Sequence, residues 1–213
     1  MQNHDLAKIR SEYLRGKLDL DYVDTDPFMQ FGAWMDQALV AQVEEPTAMT
    51  LATVGEDSKP SARIVLLKGF SEKGFVFFTN YDSRKGSEIS QNHHVALLLY
   101  WKELERQVRI EGSVCKTSVE ESEAYFLSRP VESQVSAIIS LQSSVIPDRQ
   151  HIERLREQYL HDHSGKHVRP SSWGGYRLIP EMIEFWQGRT NRLHDRIRYS
   201  QLDGVWKIER LAP

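Results

Sequence analysis

The sequence predicts a mainly β protein, in which an antiparallel sheet closes into a small barrel and α-helices are inserted between strands. Three observations lead to this fold class. Strand-like segments follow one another from Ala48 to Lys116, helical segments occupy Ser118 to His161, and strand-like segments return from Gly175 onward. A doubly wound parallel sheet would instead require strands and helices to alternate along the chain.

The first part of the chain predicts an arm followed by a helix. Residues 1–25 are polar and charged, so we expect a mobile arm ahead of a single domain covering residues 26–213. Asp26 followed by Pro27 is typical of a capped helix start. Apolar residues at helical spacing predict a helix from Phe28 to Val43.

Hydrophobic alternation and turn residues predict the strands of the middle region and of the C-terminal region. The predicted strands are Ala48–Val54, Ser61–Phe70, Phe75–Thr79, Val95–Trp101, Arg106–Lys116, Gly175–Ile179, Met182–Gln187, Arg196–Ser200 and Val205–Arg210. The last two form a hairpin, because Asp203-Gly204 is a strong two-residue turn signal.

Four further helices are predicted among the strands. Ser83 caps a short helix that runs to about Gln91. A helix covers Val119 to Leu127, and Pro130 ends that region and opens the next helix. A later helix places apolar residues on one face, namely Ile152, Leu155, Tyr159 and Leu160.

Composition excludes several classes of protein. The chain has 213 residues, a net charge of -3 and one cysteine, Cys115. A slightly acidic chain is unsuited to non-specific nucleic-acid binding, so any anion site must gather its cations locally. A single cysteine fits a reducing compartment, and the longest apolar run is far shorter than the roughly 20 residues of a membrane helix. We therefore expect a soluble cytoplasmic protein.

Familiar nucleotide, zinc and serine-hydrolase motifs are absent from the sequence. The segment from His161 to His167 contains three histidines, and a solvated loop explains it better than a metal site, since no ordering scaffold is evident. No metal is expected.

Four constellations could bind an anionic ligand. Arg63 and Lys68 bracket four aliphatic residues, although positions five apart on a regular strand face opposite sides unless a bulge intervenes. An edge strand with charged ends is the alternative. Arg84 and Lys85 follow the predicted cap Ser83, where backbone N–H groups favour anions. An exposed helix start explains the same two residues.

Tyr125, Arg129 and Ser133 are spaced by four residues and carry good partners for one phosphate, although Pro130 disturbs the spacing. A polar helix face is the alternative explanation. The segment from Trp186 to Arg196 concentrates Arg, His and Asp beside an aromatic residue, which suits a flat anionic ligand. Surface loops hold such mixtures too.

Taken together, these segments resemble the pyridoxine 5'-phosphate oxidase family over nearly the whole chain, from Arg10 to Pro213. The most specific motifs are Arg63–Lys68, Leu104–Val108, Ser128-Arg129-Pro130 and Arg192–Arg196. The resemblance implies a split β-barrel that works as a homodimer, with FMN sites at the subunit interface. It also implies oxidation of pyridoxine 5'-phosphate and pyridoxamine 5'-phosphate to pyridoxal 5'-phosphate. A hydride passes from the substrate 4' carbon to the flavin, and O2 is reduced to H2O2; the amine also releases ammonia.

The resemblance also assigns site residues. The FMN site would be lined by Arg63, Ile64, Val65, Leu66, Leu67, Lys68, Phe78, Thr79, Arg84 and Lys85, and completed from the partner subunit by Gln107, Gln142, Ser143, Trp186 and Arg196. The substrate phosphate would be bound by Lys68, Tyr125, Arg129 and Ser133. The catalytic pair Arg192 and His194 would lie over the pyridine ring, and Arg10 and Tyr13 would belong to an arm that closes over the substrate.

Two positions depart from the family pattern. Phe78 stands where a Tyr can occur, and Ile138 stands where a Trp can occur.

Three other functional hypotheses compete with the oxidase. A B6-phosphate carrier would not need Arg192 and His194, and a flavin reductase-like or deazaflavin-dependent protein would not need the residues from Tyr125 to Ser133. A haem-binding split barrel would need an axial ligand, and none can be singled out.

Overall fold

A computed structural model of the chain describes residues 12–163 and 165–213, and within them two compact units are formed from interleaved segments. The first unit comprises the described residues up to Pro46 together with Leu98–Ile110 and Glu181–Pro213. The second comprises Thr47–Leu97 and Glu111–Pro180, without Ser164. No helix among the described residues is both long and apolar enough to cross a membrane.

Helices and strands follow the predicted order closely. The helices are α1 (Pro27–Val40), α2 (Arg84–Gln91), α3 (Val119–Ser128), α4 (Val131–Ile139) and α5 (Arg149–Asp162). The strands are β1 (Ala48–Val54), β2 (Pro60–Leu66), β3 (Gly69–Ser71), β4 (Gly74–Asn80), β5 (His94–Trp101), β6 (Arg106–Lys116), β7 (Trp173–Gln187), β8 (Asp195–Leu202) and β9 (Val205–Leu211). The strand order is β2-β1-β5-β6-β7-β4-β3, with β8 paired to β7 and β9 to β8.

Aromatic side chains form the core of the first unit. Trp34 on α1 packs edge-on against Phe185, with ring centroids 5.1 Å apart, and Phe185 packs in the same way against Tyr199. The indole N–H of Trp101 donates to the Pro46 carbonyl at 2.9 Å, so this large ring is buried without an unsatisfied donor. The predicted cap of α1 is confirmed, since the Asp26 carboxylate accepts from the Phe28 amide.

The first helix ends three residues earlier than predicted, at Val40 rather than Val43. Gln42 adopts a positive φ of 54°, which terminates the helix while the amide of Val43 bonds back to the Ala38 carbonyl at 3.0 Å. The C-terminal hairpin has the predicted turn, in which Asp203 and Gly204 both have positive φ angles.

The second unit corrects the prediction of one strand over Ser61–Phe70. The chain forms β2 and β3 instead, separated at Leu67 and Lys68. β2 pairs with β1, whereas β3 pairs with β4, and the amide of Lys68 already bonds to the Val76 carbonyl at 2.8 Å. The strand is broken because the two ends of this segment have different partners.

The prediction of two strands, Gly175–Ile179 and Met182–Gln187, is also wrong. A single strand, β7, runs through both segments and through Pro180. Its first part pairs with β4 up to Leu178, and its second part pairs with β8 from Met182. Pro180 has no N–H to donate, but it lies between these two pairings. The missing donor therefore does not interrupt either pairing, and the strand continues through Pro180.

Candidate active site

A pocket of about 630 Å³ lies within the second unit. Its walls come from β2, the end of β4, the start of α2, the α3–α4 corner, the segment after α4 and the start of β7. The lining residues are Arg63, Ile64, Val65, Leu66, Lys68, Phe78, Thr79, Asn80, Lys85, Tyr125, Arg129, Pro130, Ser133, Ser136, Ala137, Ser140, Gln142 and Trp173. Four of them are cationic and none is Asp or Glu, so the pocket suits an anion.

The break after β2 explains how Arg63 and Lys68 reach the same pocket. On one regular strand they would face opposite sides, but the change of partner at Leu67 interrupts the alternation. Leu67 itself is buried, with 5% of its surface exposed, and does not line the pocket. β2 is the edge strand that the alternative expected, and both cations, Arg63 and Lys68, also line the pocket.

Arg63 is held by a dense set of hydrogen bonds. Its Nη1 donates to the Leu51 carbonyl at 3.2 Å and to the Thr53 hydroxyl, while its Nη2 donates to the Ser61 hydroxyl and, at 3.1 Å, to the Glu88 carboxylate. A guanidinium bound in this way keeps one orientation, so it presents a fixed charge to the pocket.

The start of α2 supplies a second cation. Ser83 caps the helix by accepting from the Gly86 amide, as predicted. Lys85 is buried, and its ammonium donates to the Gln142 side-chain oxygen at 3.0 Å. Burial lowers the pKa of Lys85, the charge of Arg63 lowers it further, and Glu88 opposes both effects. An anion in the pocket would favour the charged form of this lysine.

The α3–α4 corner carries an aromatic stack and an unsatisfied donor. The rings of Phe78 and Tyr125 stack with centroids 3.9 Å apart, and both are nearly parallel to Trp173. Arg129 lies over the Trp173 ring at 4.7 Å, and its Nη1 is buried without a hydrogen-bond partner among the described residues. Burial lowers the pKa of Arg129 and raises that of Tyr125.

The residues predicted to lie over the substrate ring belong to the first unit. The rings of Trp186, His194 and Tyr13 form a cluster, with centroids 4.7 Å apart for Trp186 and His194 and 5.6 Å apart for Tyr13 and each of the other two. The backbone N–H of Arg189 donates to Nδ1 of His194 at 3.1 Å. The neutral imidazole therefore carries its proton on Nε2.

Arg192 and Arg196 differ in their surroundings. Arg192 is exposed and has a positive φ of 60° in a short 3-10 turn. Arg196 is engaged with Glu184 through two hydrogen bonds of 2.8 and 3.1 Å, and the pairing raises its pKa. Gln107 is half-buried on β6 in the same unit.

Other predicted residues lie near the pocket without lining it. Arg84 is largely exposed, with its Nε bonded to Glu88 at 2.8 Å, and its backbone N–H donates to the Ser143 hydroxyl at 3.2 Å. The resemblance implied that Gln142 and Ser143 act from the partner subunit, whereas the structure places Gln142 in the pocket of its own chain. Arg10 lies outside the described residues.

Sequence reasoning did not identify Glu88, Asn80 and Trp173 as site residues. Glu88 follows Arg84 by four residues on a capped helix, which is an ion-pair spacing that could have indicated it. Trp173 begins a strand, and nothing in its sequence context indicates that it stacks in a pocket.

In the histidine-rich segment, His161 and His163 are exposed as a solvated segment would have them, whereas His167 is buried. His167 is only 8% exposed, and its Nδ1 lies 3.1 Å from the Tyr159 hydroxyl. His163 stacks on the same tyrosine ring, with centroids 4.3 Å apart. Among the described residues no group of three or more His, Cys, Asp or Glu side chains could hold a metal ion.

The fold and the pocket together define a split-barrel protein with a pocket lined by four cations and a flat aromatic wall. Residues 35–160 match the family model described as pyridoxamine 5'-phosphate oxidase. Residues 173–213 match the model of the pyridoxine 5'-phosphate oxidase C-terminal dimerisation region. The chain belongs to the pyridoxine/pyridoxamine 5'-phosphate oxidase family.

Individual relatives agree with this assignment. The chain is 56% identical over 209 residues to the pyridoxine/pyridoxamine 5'-phosphate oxidase of Paraburkholderia phymatum, and 53% identical over 210 residues to that of Paraburkholderia xenovorans. Each match covers 98% of this chain and 99% of the relative.

Solved structures confirm the predicted antiparallel split-barrel fold. PhzG from Burkholderia lata, crystallised with tetrahydrophenazine-1-carboxylic acid, is similar with a TM-score of 0.88 and 31% identity, covering 93% of this chain and 99% of PhzG. A pyridoxamine 5'-phosphate oxidase-related, FMN-binding protein from Nostoc punctiforme has a TM-score of 0.71 at 17% identity, covering 90% and 100% of the two chains, and shows the fold alone.

Proposed function

We propose that this protein is an FMN-dependent oxidase that converts pyridoxine 5'-phosphate and pyridoxamine 5'-phosphate to pyridoxal 5'-phosphate. The observation that carries the proposal is the cation-lined pocket, in which Arg129 has a buried Nη1 without a partner among the described residues. A buried guanidinium donor left unsatisfied is costly, and a phosphate oxygen would satisfy it.

The pocket residues fit two phosphorylated ligands. Arg63 to Leu66, Lys68, Thr79 and Lys85 would hold FMN, and Gln142 would join them from the same chain. Lys68, Tyr125, Arg129 and Ser133 would bind the substrate phosphate. Each hydrogen bond to a charged group contributes about 1.5–3 kcal/mol net, so a few of them per phosphate are enough for micromolar binding.

Arg192 and His194 would act on the substrate ring. The Nε2–H of His194 is a donor of fixed tautomer, because the Arg189 amide occupies Nδ1. It can donate to the ring hydroxyl, while the Arg192 guanidinium supplies positive charge beside the reacting carbon. When bound, FMN supplies the redox chemistry, since it can accept a hydride from the substrate 4' carbon and pass electrons to O2, giving H2O2.

In the proposed homodimer, Gln107, Trp186 and Arg196 of one subunit complete the cofactor site of the other. The match to a family dimerisation region over residues 173–213 supports this arrangement. The N-terminal arm, including Tyr13, would close over the substrate; Tyr13 packs against Trp186 and His194, which supports a role beside the ring.

A second candidate is oxidation of a reduced phenazine carboxylic acid, favoured by the 31% identity to PhzG. Its ligand carries a carboxylate and no phosphate, so the grouping of Lys68, Tyr125, Arg129 and Ser133 favours the B6 phosphates. The identity of 53–56% to the named oxidases supports the same choice.

The test is the visible spectrum of the purified protein, reconstituted with FMN, before and after anaerobic addition of pyridoxine 5'-phosphate. We expect the flavin absorption to bleach, and readmitted air to restore it with formation of H2O2 and pyridoxal 5'-phosphate. Bleaching by tetrahydrophenazine-1-carboxylic acid alone would favour the second candidate. A protein that binds FMN but is bleached by neither compound would overturn the proposed oxidase.

A further inference from the structure

Glu88 is a buried carboxylate placed behind the cations of the pocket. Only 11% of its side chain is exposed, and it does not line the pocket. Its Oε2 accepts hydrogen bonds from the Thr53 hydroxyl at 2.5 Å, from the Ser61 hydroxyl at 2.6 Å and from Nη2 of Arg63 at 3.1 Å. Its Oε1 accepts from Nε of Arg84 at 2.8 Å.

One carboxylate therefore joins two arginines from different elements. Arg63 comes from β2 and Arg84 from the first turn of α2, and both belong to the segments predicted to bind FMN. Thr53 and Ser61 add the neighbouring strands β1 and β2 to the same network. Without this acceptor, the two like-charged guanidinium groups would repel each other and lose their common orientation.

Glu88 affects the affinity of the pocket for an anion in two opposite ways. Its negative charge repels the anion, so simple Coulomb interaction predicts tighter anion binding when it is removed. Its hydrogen bonds fix the direction of both guanidinium groups, so preorganisation predicts weaker binding when it is removed. The number of hydrogen bonds and the burial of the carboxylate favour the second effect.

We propose that Glu88 is a positioning residue for the FMN phosphate, acting through Arg63 and Arg84 rather than by contact with the ligand. The inference rests on the proposed FMN site and adds a residue to its machinery. The electrostatics agree with the geometry: burial would raise the pKa of Glu88, but hydrogen bonds from Ser61, Thr53, Arg84 and Arg63 outweigh it and lower the pKa to about 2. The carboxylate is thus charged whenever the protein is folded at neutral pH.

The test compares FMN with riboflavin, which lacks the phosphate. Apoproteins carrying Glu88→Gln and Glu88→Ala are titrated with each flavin, and binding is followed by quenching of flavin fluorescence. Glu123→Gln is the control, because it removes a carboxylate that pairs with an arginine, Arg169, at 3.1 Å and does not line the pocket. Thermal unfolding of each apoprotein shows which variants are folded.

We expect Glu88→Ala to weaken FMN binding by at least about tenfold, or about 1.4 kcal/mol, with riboflavin binding changed by less than about twofold. Glu88→Gln keeps the shape and one acceptor, so its loss is smaller but has the same sign. Glu123→Gln behaves as the wild type. If Glu88→Ala does not fold, the FMN-specific loss in Glu88→Gln decides the question.

Three outcomes would overturn the positioning role. These are tighter FMN binding in the Glu88 variants, unchanged FMN binding, or an equal loss for FMN and riboflavin. All three leave the proposed function intact, because wild-type protein still binds FMN. A wild-type apoprotein that does not bind FMN would instead overturn the proposed function and this inference together.

Discussion

Arg129 combines a positive charge, an aromatic contact and an unsatisfied donor in one side chain of the pocket. It packs over Trp173 and keeps a buried Nη1 without a partner among the described residues. The aromatic contact restrains the guanidinium against a wall of the pocket. In the proposed site, this unsatisfied donor would bind the substrate phosphate.

Replacing Arg129 by Met should raise KM for pyridoxine 5'-phosphate by roughly 10- to 100-fold, since a charged hydrogen bond contributes about 1.5–3 kcal/mol. Steady-state kinetics with saturating FMN measure this change. Arg129→Lys keeps the positive charge but not the planar guanidinium group, so it should recover part of the loss. Wild-type KM in Arg129→Met would remove this residue from the phosphate site.

Arg192 belongs to the proposed chemistry rather than to cofactor binding. Arg192→Met should lower kcat on the order of 100-fold, the usual effect of removing one preorganised electrostatic group, and should leave FMN affinity nearly unchanged. Steady-state turnover in air and flavin titration measure the two quantities separately. Arg149→Met, at an exposed position on α5, is the control. Full turnover in Arg192→Met would show that its proposed role is wrong.

The Glu88 network also predicts how stability depends on pH. The pKa of Glu88 is lowered from 4.5 to about 2 in the folded state. Its stabilising contribution is therefore fully present above pH 4.5 and is lost as the pH falls towards 2. Urea unfolding of wild-type and Glu88→Gln apoproteins between pH 6 and pH 2.5 checks this, and the difference between their free energies of unfolding should shrink over that window. A constant difference would contradict the shifted pKa.

At the scale of elements, the start of α2 depends on close backbone packing. A Cβ added at Gly86 would overlap the backbone carbonyl of Tyr81. Backbone atoms cannot move aside as a flexible side chain can, so the first turn of α2 would have to shift. Ser83, Arg84 and Lys85 would shift with it, since they form that turn.

Gly86→Ala should therefore destabilise the protein by about 1–3 kcal/mol, the usual cost of overpacking, although Ala is ordinarily the better helix former. It should also weaken FMN binding. Urea unfolding and flavin titration measure both effects, and Ser87→Ala at the next, exposed position is the control. A more stable Gly86→Ala protein would show that the backbone accommodates the methyl group.

At the scale of the whole molecule, the proposed site needs residues from two chains. Dilution that dissociates the dimer should release FMN and abolish activity over the same concentration range. Analytical ultracentrifugation at flavin and protein wavelengths follows both species together. A monomer that retains FMN with wild-type affinity would refute the shared site.

Local signals determined much of the fold from the sequence. The cap residues Asp26 and Ser83 and the Asp203-Gly204 turn act through their immediate neighbours, so their effects can be predicted without tertiary structure. The break between β2 and β3 and the continuity of β7 through Pro180 could not be predicted in this way. They depend on which strand each segment pairs with: β2 pairs with β1, β3 with β4, and β7 with both β4 and β8, and the pattern within one segment does not specify its partner.

For the candidate site, the sequence alone determined which cationic and hydroxyl residues are available, and its resemblance to a family assigned them roles. Only the tertiary structure decided which of them meet: Arg63 and Lys68 share a pocket because the strand changes partner between them. The tertiary structure also showed that Glu88 and Trp173 belong to the candidate site. Their importance arises from contacts across long sequence separations, where the geometry of packing, not local residue preference, sets the distances.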